Sequence, residues 1–224
     1  MIEVLSAAIR GYDPAVDERV RARVASLVVT PNPRDDTPDN AELLRLILLW
    51  AVDNVERLYG ECASPFHPRP MFRNQPRSQI FRLLDDSATA AVVIGSSARS
   101  WEDVFYDVCH ESVHLLNPVF DVKNKSVSCL EEGCAVKFAE SMYDTHVRPI
   151  CAKRPPTSPV DSHPNPYVDA FSAARKIPDD VLKEVRDTFG QFSTIDDRDR
   201  FRRLVDRHVD EREIYMLLAP FAYG

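Results

Sequence analysis

The sequence predicts an α+β fold, mainly helical, with a small antiparallel sheet, and three observations carry that reading. Apolar residues recur at helical spacing through most of the chain, only the short runs "IFRLL" and "ATAAVVIG" have strand character, and the turn-like "DDS" between those runs makes them a hairpin. At 224 residues the chain is long enough for one well-buried domain and short for two. A single domain over 1–224 is expected, with a lobe at 1–117 that holds the sheet and a mainly helical lobe at 118–224.

Apolar residues at 44% and charged residues at 28% exclude a disordered or fibrous chain. The net charge of -7 argues against a nucleic-acid partner, which requires concentrated basic surface. The first residues, "MIEVLSAAIRGYDPAVDERV", lack a cationic region and carry Glu3 inside their apolar stretch, unlike a signal peptide. The most apolar window, "LLRLILLWAV" at 43–52, is shorter than the roughly 20 residues of a membrane span. A cytoplasmic protein with no membrane partner is expected. The five cysteines, at 62, 109, 129, 134 and 151, show no framework spacing and suit reduced thiols.

From the N-terminus, "DERVRARVASLVV" reads as a charged helix ending at "TPNPRDD". Thr37 and Pro38 then start a helix that is apolar almost all round from Leu43 to Val52, the pattern of an element buried on several sides. The proline-rich "SPFHPRPMFRNQP" leads to the hairpin, and "SARS" leads on to "WEDVFYDVCHESVHLLNP". Ser100 and Asp103 have capping-box spacing at the start of that helix, and Asn117-Pro118 marks its end. After a loop, a further helix is expected from about Ser128 to Thr145. The stretch at 154–167 carries five prolines, which oppose regular structure, and we expect it to border a functional cleft. Helices follow in "YVDAFSAARKI", "PDDVLKEVRDTFGQF" and "DRFRRLVDRHVDEREIYMLLAPF".

The stretch "DVCHESVHLLNP" carries the chemistry. At 100° per residue, Asp103, Asp107, His110, His114 and Asn117 fall within a stripe of roughly 80°, opposite Trp101, Val104, Phe105, Val108, Leu115 and Leu116. The two histidines therefore leave the apolar face. One turn apart, they can reach a single ion at about 2.0–2.1 Å, the usual zinc–nitrogen distance. Glu111, one residue further round, can hold water beside the ion without ligating it. A third ligand is offered by "SCLEEGCAVKFAE": Ser128 and Glu131 have capping-box spacing, which leaves Glu132 as the ligand. Gly133 and Ala135 beside it leave room for the helix of the histidines.

"HESVH" followed by "EEGCA" resembles the gluzincin zinc metallopeptidases, which carry HExxH on one helix and the third ligand in an EG-x-A motif on the next. The likeness covers about 40 residues, with 17 lying between His114 and Glu132. It implies a zincin-like metallopeptidase fold, Zn2+ held by His110, His114 and Glu132, Glu111 as general base, and hydrolysis of a peptide or protein substrate. It also implies a His or Tyr that stabilises the oxyanion, for which His146, His163 and Tyr167 are the candidates, with Tyr143 behind them. In that family the strand before the metal helix is a sheet edge that pairs with substrate, a role that falls to "AVVIG" at 91–95. Thermolysin-like members place an aspartate four residues after the ligand glutamate to orient the first histidine. Val136 stands there instead, and Asp107, three residues before His110 on the same stripe, reads equally as a substitute acceptor or as a solvated aspartate of the helix surface.

Three rival readings accompany this one. "EEGCAVKFAE" is also similar to the segment of the ImmA/IrrE-like regulatory proteases, which implies cleavage of one specific protein. A non-catalytic interaction protein would retain the fold and use the polar stripe for contact. A structural zinc site would add Cys129 or Cys134 and close the coordination shell.

Overall fold

The computed structural model describes residues 23–83, 89–120, 127–151, 158–161 and 165–222. Its elements are α1 (Pro38–Tyr59), β1 (Met71–Phe72), β2 (Gln79–Arg82), β3 (Ala90–Ile94), α2 (Trp101–Leu115), α3 (Cys129–His146), α4 (Arg148–Cys151), a 3-10 turn (Pro159–Asp161), α5 (Pro166–Ala174), α6 (Asp179–Phe189), α7 (Arg198–Val205) and α8 (Glu211–Leu218). The α+β, mainly helical character expected from the sequence holds. Of the charged N-terminal helix expected in 17–29, residues 17–22 lie outside the described residues; 23–25 are helical, and the helix ends there, short of the expected end at 29.

α1 starts where Thr37 accepts a hydrogen bond from the Asn40 backbone at 3.1 Å, with Pro38 in the first turn. Leu43, Ile47, Leu48, Ala51, Val52 and Val55 are all buried, as the unbroken apolar pattern requires. The C-terminal carbonyls of α1 and α2 point at one buried guanidinium. Arg186 donates to Tyr59 O at 2.9 Å, Glu61 O at 2.6 Å, Leu116 O at 3.2 Å and Asn117 Oδ1 at 3.1 Å. It thereby satisfies helix-end acceptors that would otherwise lie dry.

The sheet has the order β1-β3-β2, with β3 parallel to β1 and antiparallel to β2. The expected hairpin pairing is present between β2 and β3. Two expectations are corrected. The sheet is mixed rather than antiparallel, because Met71 and Phe72 add a parallel partner. The "AVVIG" strand is the central one, with all five residues of β3 buried and neighbours on both sides, so it offers no free edge. A continuous apolar run fits an inner strand, and here it is one.

Where β3 ends, Gly95 has no room for a side chain: a Cβ there would lie 2.4 Å from the Arg77 carbonyl carbon. The loop before β2 is bound to the loop before α2 by Ser96 N to Gln75 O at 2.6 Å and by Gly95 N to Ser78 Oγ at 3.0 Å.

The capping box of α2 forms as predicted, with Ser100 accepting from Asp103 N and the Asp103 carboxylate accepting from Ser100 N. The polar stripe of α2 does not face solvent, however. Asp103, Asp107, Glu111 and His114 are buried along with the apolar side, because α3 and the loop before β2 cover them.

Gly133 on α3 lies against α5, where an added Cβ would fall 2.5 Å from Ala170 O and 2.7 Å from Ala174 Cβ. The close approach inferred from "EEGCA" is therefore with α5 and not, as the sequence implied, with the helix of the histidines. Two further corrections concern the C-terminal half. α5 starts inside the proline-rich stretch, because Asn165 caps it at Tyr167 N (2.9 Å) and Pro166 fits the first turn. The last helical segment is two helices, because Asp210 and Glu213 form a second capping box at the start of α8.

Gly133→Ala should lower stability by about 1–3 kcal/mol through overpacking against the Ala170 carbonyl. A urea titration reads this directly, and an unchanged midpoint would show that the α3–α5 crossing is loose.

Candidate metal centre

α2 and α3 cross so that three side chains converge. His110 Nε2 lies 3.4 Å from His114 Nε2 and 3.3 Å from Glu132 Oε2, and His114 Nε2 lies 3.7 Å from Glu132 Oε1. Four ligands placed tetrahedrally at the usual zinc distances of about 2.0–2.1 Å are separated from one another by roughly 3.3–3.4 Å. His110 thus faces one carboxylate oxygen of Glu132 and His114 the other, at separations close to those between the ligands of such a tetrahedron. Glu132 is 2% exposed and His114 8% exposed. Among the described residues, this is the group that could hold a metal ion.

His114 is oriented from behind. Its Nδ1–H donates to Glu131 Oε1 at 2.7 Å, which leaves Nε2 facing His110 and Glu132. Glu131 Oε2 in turn accepts from the Ser193 hydroxyl. The sequence assigned Glu131 to a capping box, and only half of that forms. Ser128 Oγ accepts from Glu131 N at 3.2 Å, but the Glu131 carboxylate is committed to His114 and Ser193. Asp107, the substitute acceptor proposed from the sequence, accepts from Ser78 Oγ at 2.5 Å and lines the cavity.

Charge follows geometry. Burial opposes a proton on His114, yet the charge of Glu132 and the hydrogen bond that His114 donates to Glu131 outweigh it and raise the imidazole well above its ordinary range. Burial likewise opposes ionisation of Glu132, and the two histidines overcome it, holding the carboxyl far below its usual value. A site that draws a proton onto a buried imidazole is a site that favours positive charge. Glu111 behaves differently: burial lifts its carboxyl to about 7, and the nearby His114 and His110 only partly oppose the rise.

A cavity of about 460 Å³ opens beside the group, and His110, Glu111, Asp107, Arg77 and Tyr167 are among the residues that line it. Tyr167 lies with its ring 6.3 Å from that of His110. Burial and Glu132 raise its hydroxyl well above the ordinary range, while Arg77 opposes the rise through its charge and a hydrogen bond. Ser158, Pro159 and Asn165 also line the cavity, so the described parts of the 154–167 stretch do border the cleft.

The other candidates are not brought to this point. His146 lies at the far end of α3, about four turns or roughly 21 Å beyond Glu132, with its ring edge-on to Trp50 at 5.0 Å. Burial lowers its pKa, as for a packed histidine. Tyr143 packs edge-on against Tyr106 at 6.3 Å. His163 lies outside the described residues. Cys129 and Cys134 are free, and neither belongs to the His110, His114 and Glu132 group.

Sequence reasoning missed the orienting role of Glu131, and it missed Ser193 and Arg77 altogether. The first had a signal, since a glutamate beside a ligand glutamate and 17 residues from His114 is a ready acceptor. Arg77 and Ser193 had none, because tertiary approach alone brings them in.

Comparison with family models, with curated proteins and with solved structures finds no match to this chain.

The shifts set a pH dependence for the metal-free protein. The ordinary values, 6.5 for His114 and 4.5 for Glu111 and Glu132, stand in for the unfolded chain. The raised His114 stabilises fully below about 6.5, and that stabilisation is lost as pH climbs through its folded value. Glu111, raised to about 7, loses its contribution between about 4.5 and 7, whereas the lowered Glu132 contributes above about 4.5 and loses it in acid. The urea midpoint of the metal-free protein should therefore be higher near pH 5.5 than near pH 8. A flat or rising profile over that interval contradicts this charge arrangement.

Proposed function

We propose that the chain is a zinc-dependent metallopeptidase of zincin-like fold, acting on a peptide or protein substrate. The observation that carries the reading is the convergence of His110, His114 and Glu132, one ligand atom from each lying within 4.8 Å of the others, with the buried carboxyl of Glu111 lining the cavity beside them. Donor chemistry agrees, since two imidazoles and one carboxylate suit zinc and leave a fourth position open. A zinc ion held there would supply Lewis acidity toward a carbonyl oxygen and toward water.

The chain's own residues do the rest. Glu111, with its carboxyl near 7, is able to accept a proton from water and return it to a leaving amine at neutral pH. Glu131 keeps the donor nitrogen of His114 aimed at the ion by holding the proton on Nδ1. Tyr167, which lines the same cavity as Glu111, can donate its hydroxyl hydrogen to an oxygen that gains negative charge. Of the three oxyanion candidates read from the sequence, Tyr167 alone is described beside the group. Glu111, His114, Glu131 and Glu132 are buried, which keeps bulk water from most of the centre.

Glu111→Gln keeps size and hydrogen bonding but removes the base. Hydrolysis of a denatured protein or a mixed peptide pool should fall by about 100-fold or more while zinc content stays at the wild-type level. Undiminished hydrolysis by this variant would remove Glu111 from the chemistry.

A further inference from the structure

We propose that Ser193, on the loop between α6 and α7, is a positioning residue for the metal centre, acting through Glu131 to fix which nitrogen of His114 faces the ion. The inference rests on the reading of His110, His114 and Glu132 as a metal site.

A neutral imidazole carries one N–H and one lone pair, so it can ligate through Nε2 only while the proton sits on Nδ1. Glu131 Oε1 accepts that proton's hydrogen bond at 2.7 Å. A carboxylate that accepts at one oxygen alone can still turn about its own side-chain bonds, and Glu131 is 3% exposed, so water does not hold its second oxygen. The Ser193 hydroxyl does, by donating to Glu131 Oε2. With both oxygens engaged, the carboxylate plane is set, and the ring of His114 is set with it.

The loop that delivers Ser193 is fixed independently. Ser128 Oγ, which caps α3 by accepting from Glu131 N, donates to Phe192 O at 2.9 Å. The Phe192 ring meets Tyr59 edge-on at 5.5 Å, and Tyr59 OH donates to Asp179 Oδ1 at 2.9 Å. The backbone of this loop is thus tied to the start of the ligand-bearing helix and to the end of α1. Removal of the Ser193 hydroxyl alone leaves those ties in place and takes a partner only from Glu131 Oε2.

Zinc affinity, measured by competition with a chromogenic chelator, separates these roles. Ser193→Ala should weaken zinc binding by about tenfold, the scale of losing a partner that orients a ligand. Ser193→Thr, which keeps the hydroxyl, should bind zinc as wild type does, and so should Thr194→Ala on the same loop. In the zinc-loaded protein, the Nδ1–H proton resonance of His114 should exchange with water faster in Ser193→Ala than in wild type. The metal-free unfolding midpoint of Ser193→Ala should fall as well, because the buried Glu131 Oε2 loses its partner, so zinc affinity and Nδ1–H exchange, and not stability, carry the test. Wild-type affinity and wild-type exchange in Ser193→Ala would overturn the positioning role while leaving the metal site standing. Failure of wild type itself to bind zinc would overturn the metal reading, and this inference with it.

Discussion

The buried ion-pair seam between α2 and α3 is the constraint on which the rest of the structure depends. Glu131, Glu132 and His114 all lie out of solvent, and buried carboxylates are costly by several kcal/mol each unless positive charge and hydrogen bonds match them. His114 meets both glutamates at once, one on each ring nitrogen, and His110 adds a second imidazole to Glu132. In the metal-free chain a proton on His114 supplies the matching charge, and a divalent cation between the three side chains would supply it more fully. The seam is therefore the least forgiving part of the fold and the part best suited to hold an ion.

Two glycines shape what surrounds it. Gly133 lets α5 press against α3 one residue after Glu132, and α5 and its cap bring Tyr167 and Asn165 to the lining of the cavity. Gly95 lets the loop before β2 lie across the end of β3, and that loop brings Arg77 and Ser78 to the cavity as well. Arg186 sets the depth of the arrangement by tying the ends of α1 and α2 together. A close backbone approach behind the metal group and another at the sheet thus determine which side chains share one cavity of about 460 Å³.

Local signals made much of this legible in the sequence. The caps at Thr37, Ser100 and Ser128 fixed three helix starts, and the four-residue spacing of His110 and His114 fixed their common direction, because such signals act within one turn. What escaped depended on distant partners. Periodicity separates polar from apolar faces but does not tell a solvated polar stripe from a buried one, so the stripe of α2 read as surface until α3 covered it. The edge role for 91–95 came from the family resemblance, while the apolar run suited an inner strand equally well; the parallel partner at 71–72, only two residues long, gave no strand signal to decide between them. Glu131 looked like half of a cap because its true partners, His114 and Ser193, lie 17 and 62 residues away. His146 passed as a candidate for the opposite reason: composition gave it a suitable ring, and only the length of α3 shows how far that ring lies from Glu132.

Zinc-edge X-ray absorption of the reconstituted protein tests the central claim most directly. The arrangement of His110, His114 and Glu132 predicts a first shell of nitrogen and oxygen alone, at about 2.0–2.1 Å, with the outer-ring scattering of two imidazoles. A sulfur shell near about 2.3 Å, or a protein that takes up no zinc, would contradict it.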